Sequence, residues 1–104
     1  MILTTTETIP GKEITEILGV ARGSTIRARN IGKDISAALK NIVGGEIKEY
    51  TKLMADSREE ALSRMIKDAE KYGADAIINI RFTTSMVMTG TSEILCYGTA
   101  VKIK

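Results

Sequence analysis

Cys96 is the one thiol in a 104-residue chain that contains no histidine, so the usual materials of nucleophilic and metal chemistry are nearly absent. An activated thiolate needs a neighbouring base or positive charge, and no imidazole is present to supply one. With Ile94 and Ala100 as companions on its strand face, Cys96 is expected to be reduced, buried and structural. Thiolate coordination of Zn or Cu(I) would require several subunits each to bring a Cys96 to one axis. Glu59, Glu60, Asp68 and Glu70 are interspersed with lysines and arginines and read as a solvated helix face rather than a hard-ion site. Glycines 19, 23, 44 and 45 match neither the dinucleotide nor the P-loop spacing. The expectation is a protein without catalytic residues, metal ligands or cofactor, and not an enzyme.

Binding is better represented than catalysis. Residues 22–40 hold Arg22, Arg27, Arg29, Lys33 and Lys40 against the single acid Asp34, a local basic stretch suited to a small anion. In a symmetric assembly such charges repeat around the axis and their fields add. The whole-chain charge is only +2, from 15 basic and 13 acidic side chains, so no general affinity for nucleic acid follows. Tyr50, Tyr72, Phe82 and Tyr97 are the only aromatic side chains, too few and too core-like to stack bases.

These residues must be positioned by one small domain spanning residues 1–104, since the length supports a single core and no linker. The first six residues lack a basic leader, and the longest apolar run, residues 94–97, is far below the ~20 needed to span a bilayer. A cytoplasmic protein without membrane contact is expected. Residues 2–5 are β-prone and lead to a Pro10-Gly11 turn. Residues 13–28 read as one long strand or two collinear pieces, with Ile14, Leu18 and Val20 on one face and Ile17, Ala21 and Gly23 on the other. Ile35, Ala38, Leu39 and Ile42 recur at helical spacing and predict a short helix that Val43-Gly44-Gly45 ends.

Across residues 46–72, Ile47, Tyr50, Met54, Ala61, Leu62, Met65, Ala69 and Tyr72 form the apolar stripe of a long helix, with Glu60 and Arg64 paired at i,i+4. Asp56 and Glu59 resemble a capping box and leave a break there open. Gly73 terminates the helix. Residues 76–88 alternate, with Ile78, Ile80 and Phe82 opposed to Ile77, Asn79, Arg81 and Thr83, and Thr89-Gly90-Thr91 turns the chain into a returning strand over residues 93–103. The order is β-β-α-α-β-β, an α+β fold whose antiparallel or mixed sheet packs on one long and one short helix. Leu95, Tyr97, Val101 and Ile103 line one face of the last strand while Ile94, Cys96 and Ala100 line the other. Two apolar faces need two covers, and two helices cover one. A second copy of the chain is the expected second cover.

Taken in order, Gly19-Val20 with Gly23, Asn30, Ile42-Val43-Gly44-Gly45, Tyr50, Gly73-Ala74-Asp75-Ala76 and Gly98-Thr99-Ala100-Val101 resemble the YbjQ-like proteins, small bacterial and archaeal domains catalogued as heavy-metal-binding. The resemblance runs essentially end to end. It implies a dodecin-like α+β subunit assembling as a homopentameric ring, and it implies no established activity. Its metal description finds only scattered carboxylates to act on here. Asn30, Tyr50 and Asp75 are the polar members of the matching motifs, and with Arg27 from the basic stretch they form the expected ligand-binding set.

Overall fold

The computed structural model describes residues 1–28, 42–43 and 46–104. Six strands and one helix appear among them: β1 (Ile2–Leu3), β2 (Ile14–Ala28), β3 (Ile42–Val43), β4 (Glu46–Ile47), α1 (Lys48–Lys71), β5 (Ala76–Met88) and β6 (Thr91–Ile103). A four-stranded sheet runs β1-β5-β6-β2, and β3 pairs with β4 in a separate two-stranded ladder. The main sheet is mixed, because β1 joins β5 in parallel while the other neighbours are antiparallel. The fold class is therefore α+β. Ile42 and Val43 are strand, not the end of a helix: they pair antiparallel with Ile47 and Glu46. The remainder of the expected short helix lies outside the described residues.

The long helix is continuous through Asp56. It ends where the sequence provides a residue for positive φ. Gly73 sits at φ 71°, its N–H donates to Glu70 O, and the Ala74 N–H donates to Ala69 O, which is the Schellman closure of a helix C-terminus. Ala61, Met65 and Ala69 are fully buried against Ala21, Ile77, Ile80, Ile94, Cys96 and Ala100. Ala61 and Ala69, one turn to either side of Met65, let the helix lie close on the sheet, and Ser57, also fully buried, extends that row by one turn.

Bulges set which side chains face the helix. Register shifts between Ile14 and Glu16 and between Ile17 and Gly19 break the simple alternation expected along β2. Leu18 consequently packs with Ala21 on the helix side, whereas Ile17 and Val20 are 73% and 57% exposed. In β5 a further shift lies between Ile78 and Arg81, with Asn79 at φ 54°, a conformation asparagine tolerates better than most residues. Ile80 thereby joins Ile77 on the helix side, while Ile78 packs with Ala76 and Val101 on the opposite face. The expected grouping of Ile78 with Ile80 is thus replaced by one the bulge dictates.

The second face of β6 has a cover supplied by the chain itself over part of its length. Ile9, Ile14 and Ile103 pack on Ala76, Ile78 and Val101. The segment before β2 is tied to β5 by the Thr4 N–H on Ile77 O and by the Asn79 and Ile80 N–H groups on Thr6 O and Thr4 O, at 3.1 Å each. Beyond that point the three long strands continue as an arm. Phe82, Met86, Val87 and Met88 of β5, Ile26 of β2 and Tyr97 of β6 are all exposed.

Candidate functional site

Arg27 projects from β2 toward α1. Its Nε donates to Ser57 Oγ at 3.0 Å, and its Nη2 donates to Glu60 Oε2. The other Glu60 oxygen receives Arg64 Nη2 at 2.6 Å, the i,i+4 pair expected from the sequence. Arg64 Nη1 also donates to Ser24 O at 2.6 Å, Thr25 Oγ1 donates to Ser57 O at 3.2 Å, and Asp68 Oδ2 accepts the Arg22 N–H at 3.0 Å. One carboxylate, Glu60, between the Arg27 and Arg64 guanidiniums leaves these three side chains with a net positive charge. Since they are 37% to 53% exposed, each ion pair contributes little stability, ~0–1 kcal/mol. The cluster clamps β2 to α1 and presents positive charge to solvent. Ser57, Glu60, Arg64 and Asp68 were not among the expected site residues; the 33-residue separation of Arg27 from Glu60 leaves no periodic trace in sequence.

Asp75 stands at the opposite end of the sheet. Its Oδ2 accepts the Ile103 N–H at 3.1 Å, and Lys102 Nζ lies 3.8 Å from Oδ1. Its main chain accepts from the Ile2 N–H and donates to Val101 O, so Asp75 joins the ends of β1, β5 and β6. Arg27 is opposite Ser92 and the residue after Asp75 is opposite Val101, which separates the two by roughly 30 Å along the strands. Within one chain the structure does not bring them together. Tyr50 is in the first turn of α1, where the described side chains begin only at Thr51, and Asn30 lies outside the described residues, as do Arg29, Lys33 and Lys40.

Cys96 is fully buried beneath α1, with Sγ donating to Met65 Sδ at 3.5 Å. Burial pushes its thiol up from 9.0 to about 11, because the charged form loses solvation. The folded chain at pH 8 is expected to resist a maleimide that modifies the guanidinium-unfolded chain rapidly. Ready labelling of the folded state would show an accessible thiol instead. The unfolded chain ionises first, so this contribution to stability is complete below about pH 9 and is lost as pH rises toward about 11. Denaturant titrations across that range should show less alkaline loss in Cys96→Ala.

A family model described as "Putative heavy-metal-binding" matches residues 1–104. The chain belongs to this YbjQ family. YbjQ-family relatives named UPF0145 protein include one from Archaeoglobus fulgidus, 62% identical over 104 residues with 100% of this chain and 96% of the relative covered. Another, from Methanosarcina acetivorans, is 62% identical over 103 residues, covering 99% and 97%. A crystal structure from Pediococcus pentosaceus, titled as a protein with unknown function in the DUF74 family, superposes with a TM-score of 0.67 at 19% identity over 100% of this chain and 98% of that one; it shows the fold. Among the described residues the YbjQ family's metal description finds no assembled donor set. There is no histidine, the thiol is buried and held protonated, and no three potential ligands among histidine, cysteine, aspartate and glutamate cluster among the described residues.

Proposed function

We propose that this YbjQ-family protein is a non-enzymatic cytoplasmic component that assembles into a homo-oligomeric ring, pentameric as the family resemblance implies. It binds a small ligand, an anion or a partner where subunits meet. The observation that carries this reading is the surface of the single chain. A folded monomer of 11.3 kDa exposes about 5,700 Å² by the usual scaling of area with mass. This chain exposes 6838 Å², an excess of about 1,100 Å², and one side of a stable interface buries about 800 Å². The radius of gyration is 17.1 Å, against about 13 Å for a compact chain of this length.

The arm is apolar where it is exposed, which favours association over an extended monomer. The chemistry supporting ligand capture is the net positive charge of the Arg27, Glu60 and Arg64 cluster, repeated in every subunit. Arg22 and Arg81 place further positive charge on the opposite, open face of the sheet, where both are register partners of the exposed Tyr97. No helix of the described residues is long and apolar enough to cross a membrane. Native mass spectrometry under gentle conditions is expected to show an oligomer retaining a bound small molecule, released in Arg27→Ala. A bare oligomer from every preparation would remove the ligand from the proposal, and a monomer would remove the ring.

A further inference from the structure

Successive side chains of a strand point to opposite faces of the sheet, and the buried residues say which face is which. Ala21, Ile80 and Cys96 pack beneath α1, so Arg22, Arg81 and Tyr97, each one residue further along its strand, stand on the face away from the helix. They form one row, with Tyr97 opposite Arg22 on β2 and opposite Arg81 on β5. Neighbouring strands lie about 4.8 Å apart, so an arginine flanks the tyrosine at that spacing on each side. The cover that Ile9 and Ile14 give this face is over Ala76, Ile78 and Val101, and Tyr97 is left 39% exposed. Tyr97, expected from the sequence to be core-like, is a surface residue.

Neither arginine has its charge neutralised. Arg81 is held in place through Nη1, which donates to Thr5 O at 2.9 Å and to Ile80 O at 2.8 Å, and both acceptors are neutral carbonyls. Its Nε and Nη2 have no partner among the described residues. Asp68 accepts the Arg22 N–H, whereas the Arg22 guanidinium has no partner among the described residues. The rows on either side are uncharged: Val20, Thr99 and Ile78 on one, Ser24, Leu95 and Thr83 on the other. Glu93 is the one acid of β6, four residues from Tyr97 and so roughly 13 Å away along the strand.

We infer that the row of Arg22, Tyr97 and Arg81 is a binding site for a flat aromatic anion of the mononucleotide kind, its ring laid on Tyr97 and its anionic group taken by the flanking guanidiniums. Arginine's planar fork of donors matches a phosphate or carboxylate in bidentate fashion. An inorganic anion would use the arginines alone, and the exposed ring between them adds a stacking surface that only a planar ligand exploits. One aromatic side chain accommodates one base, so a single nucleotide suits the row and a nucleic-acid strand does not. The site goes beyond the anion capture proposed at Arg27, which lies on the helix side of β2 with Ser57 and Glu60, and it requires neither that cluster nor the ring.

Isothermal titration calorimetry of the wild-type protein, Arg22→Ala and Tyr97→Leu with adenosine monophosphate, adenosine and inorganic phosphate tests this. The wild type is expected to bind the monophosphate about tenfold or more tightly than either fragment, since only the whole molecule uses both the ring and the charge. Tyr97→Leu, which removes the stacking surface, is expected to weaken the monophosphate by about 5- to 100-fold. Arg22→Ala is expected to weaken it by about tenfold and to flatten its dependence on salt. No binding by the wild type at millimolar monophosphate, equal affinity for the monophosphate and either fragment, or wild-type affinity in either variant overturns the inference. Loss of affinity in Arg27→Ala with both other variants unaffected would put the ligand at the helix-side cluster, overturning this site and leaving the proposed function standing. If Tyr97→Leu fails to fold, Arg22→Ala, altered only at an exposed side chain, decides alone.

Discussion

Gly23→Ala is expected to push α1 away from β2 and to destabilise the protein strongly. A Cβ at this position would lie 2.3 Å from Met65 N, 2.4 Å from Ala61 O and 2.7 Å from Arg64 C. All three are helix backbone, which cannot relieve the clash by rotating a side chain. Gly23 faces Cys96 across the ladder, so the displaced helix would also lose its contacts with Cys96 and with the buried Ile94. Overpacking in a rigid core costs 1–3 kcal/mol and at times more, and a backbone-to-backbone clash belongs at the upper end. At about 4–8 °C of melting temperature per kcal/mol for a domain near this size, Gly23→Ala should melt on the order of 15 °C below wild type by circular dichroism. A melting temperature within a few degrees of wild type would mean that the helix does not approach β2 as closely as described.

Met65→Ala is expected to be the most damaging of the simple truncations. Met65 is fully buried between Ala21, Ala61 and Cys96, and its sulfur accepts the Cys96 thiol. Removing the side chain leaves a cavity under the middle of the helix and an unpartnered thiol, a loss of about 2–5 kcal/mol. Met65→Leu nearly conserves the volume and should cost less than about 1.5 kcal/mol. Urea titrations of the two variants measure the contrast. Equal midpoints would show that the site collapses around the truncation and that its packing is loose.

The extent to which the chain announces these features depends on how local each one is. The continuous α1, its Gly73 stop and the β5–β6 hairpin follow from periodicity and glycine placement within a few residues, so sequence reading finds them. The two-faced apolar character of β6 is equally visible. The bulges in β2 and around Asn79 are not, because a bulge changes which face a residue occupies without changing composition, and Ile17, Leu18 and Ile78 exchange places as a result. Ile42 and Val43 suit a helix end and a hairpin alike, and only their pairing with Glu46 and Ile47 separates the two. The cover over Ala76, Ile78 and Val101 comes from Ile9 and Ile14, a long-range contact that hydrophobic alternation along β6 leaves unspecified. Arg27 was legible as part of a basic stretch, but its engagement by Ser57 and Glu60 depends on the crossing of β2 and α1. Asp75 was legible as a motif member, and its carboxylate is spent on the Ile103 N–H and Lys102.

The open arm makes self-association the central claim, and sedimentation velocity of the wild-type protein at micromolar concentration in physiological salt addresses it directly. The account predicts a single species at several times the 11.3 kDa chain mass, unchanged on tenfold dilution. A homogeneous species at 11.3 kDa would contradict it.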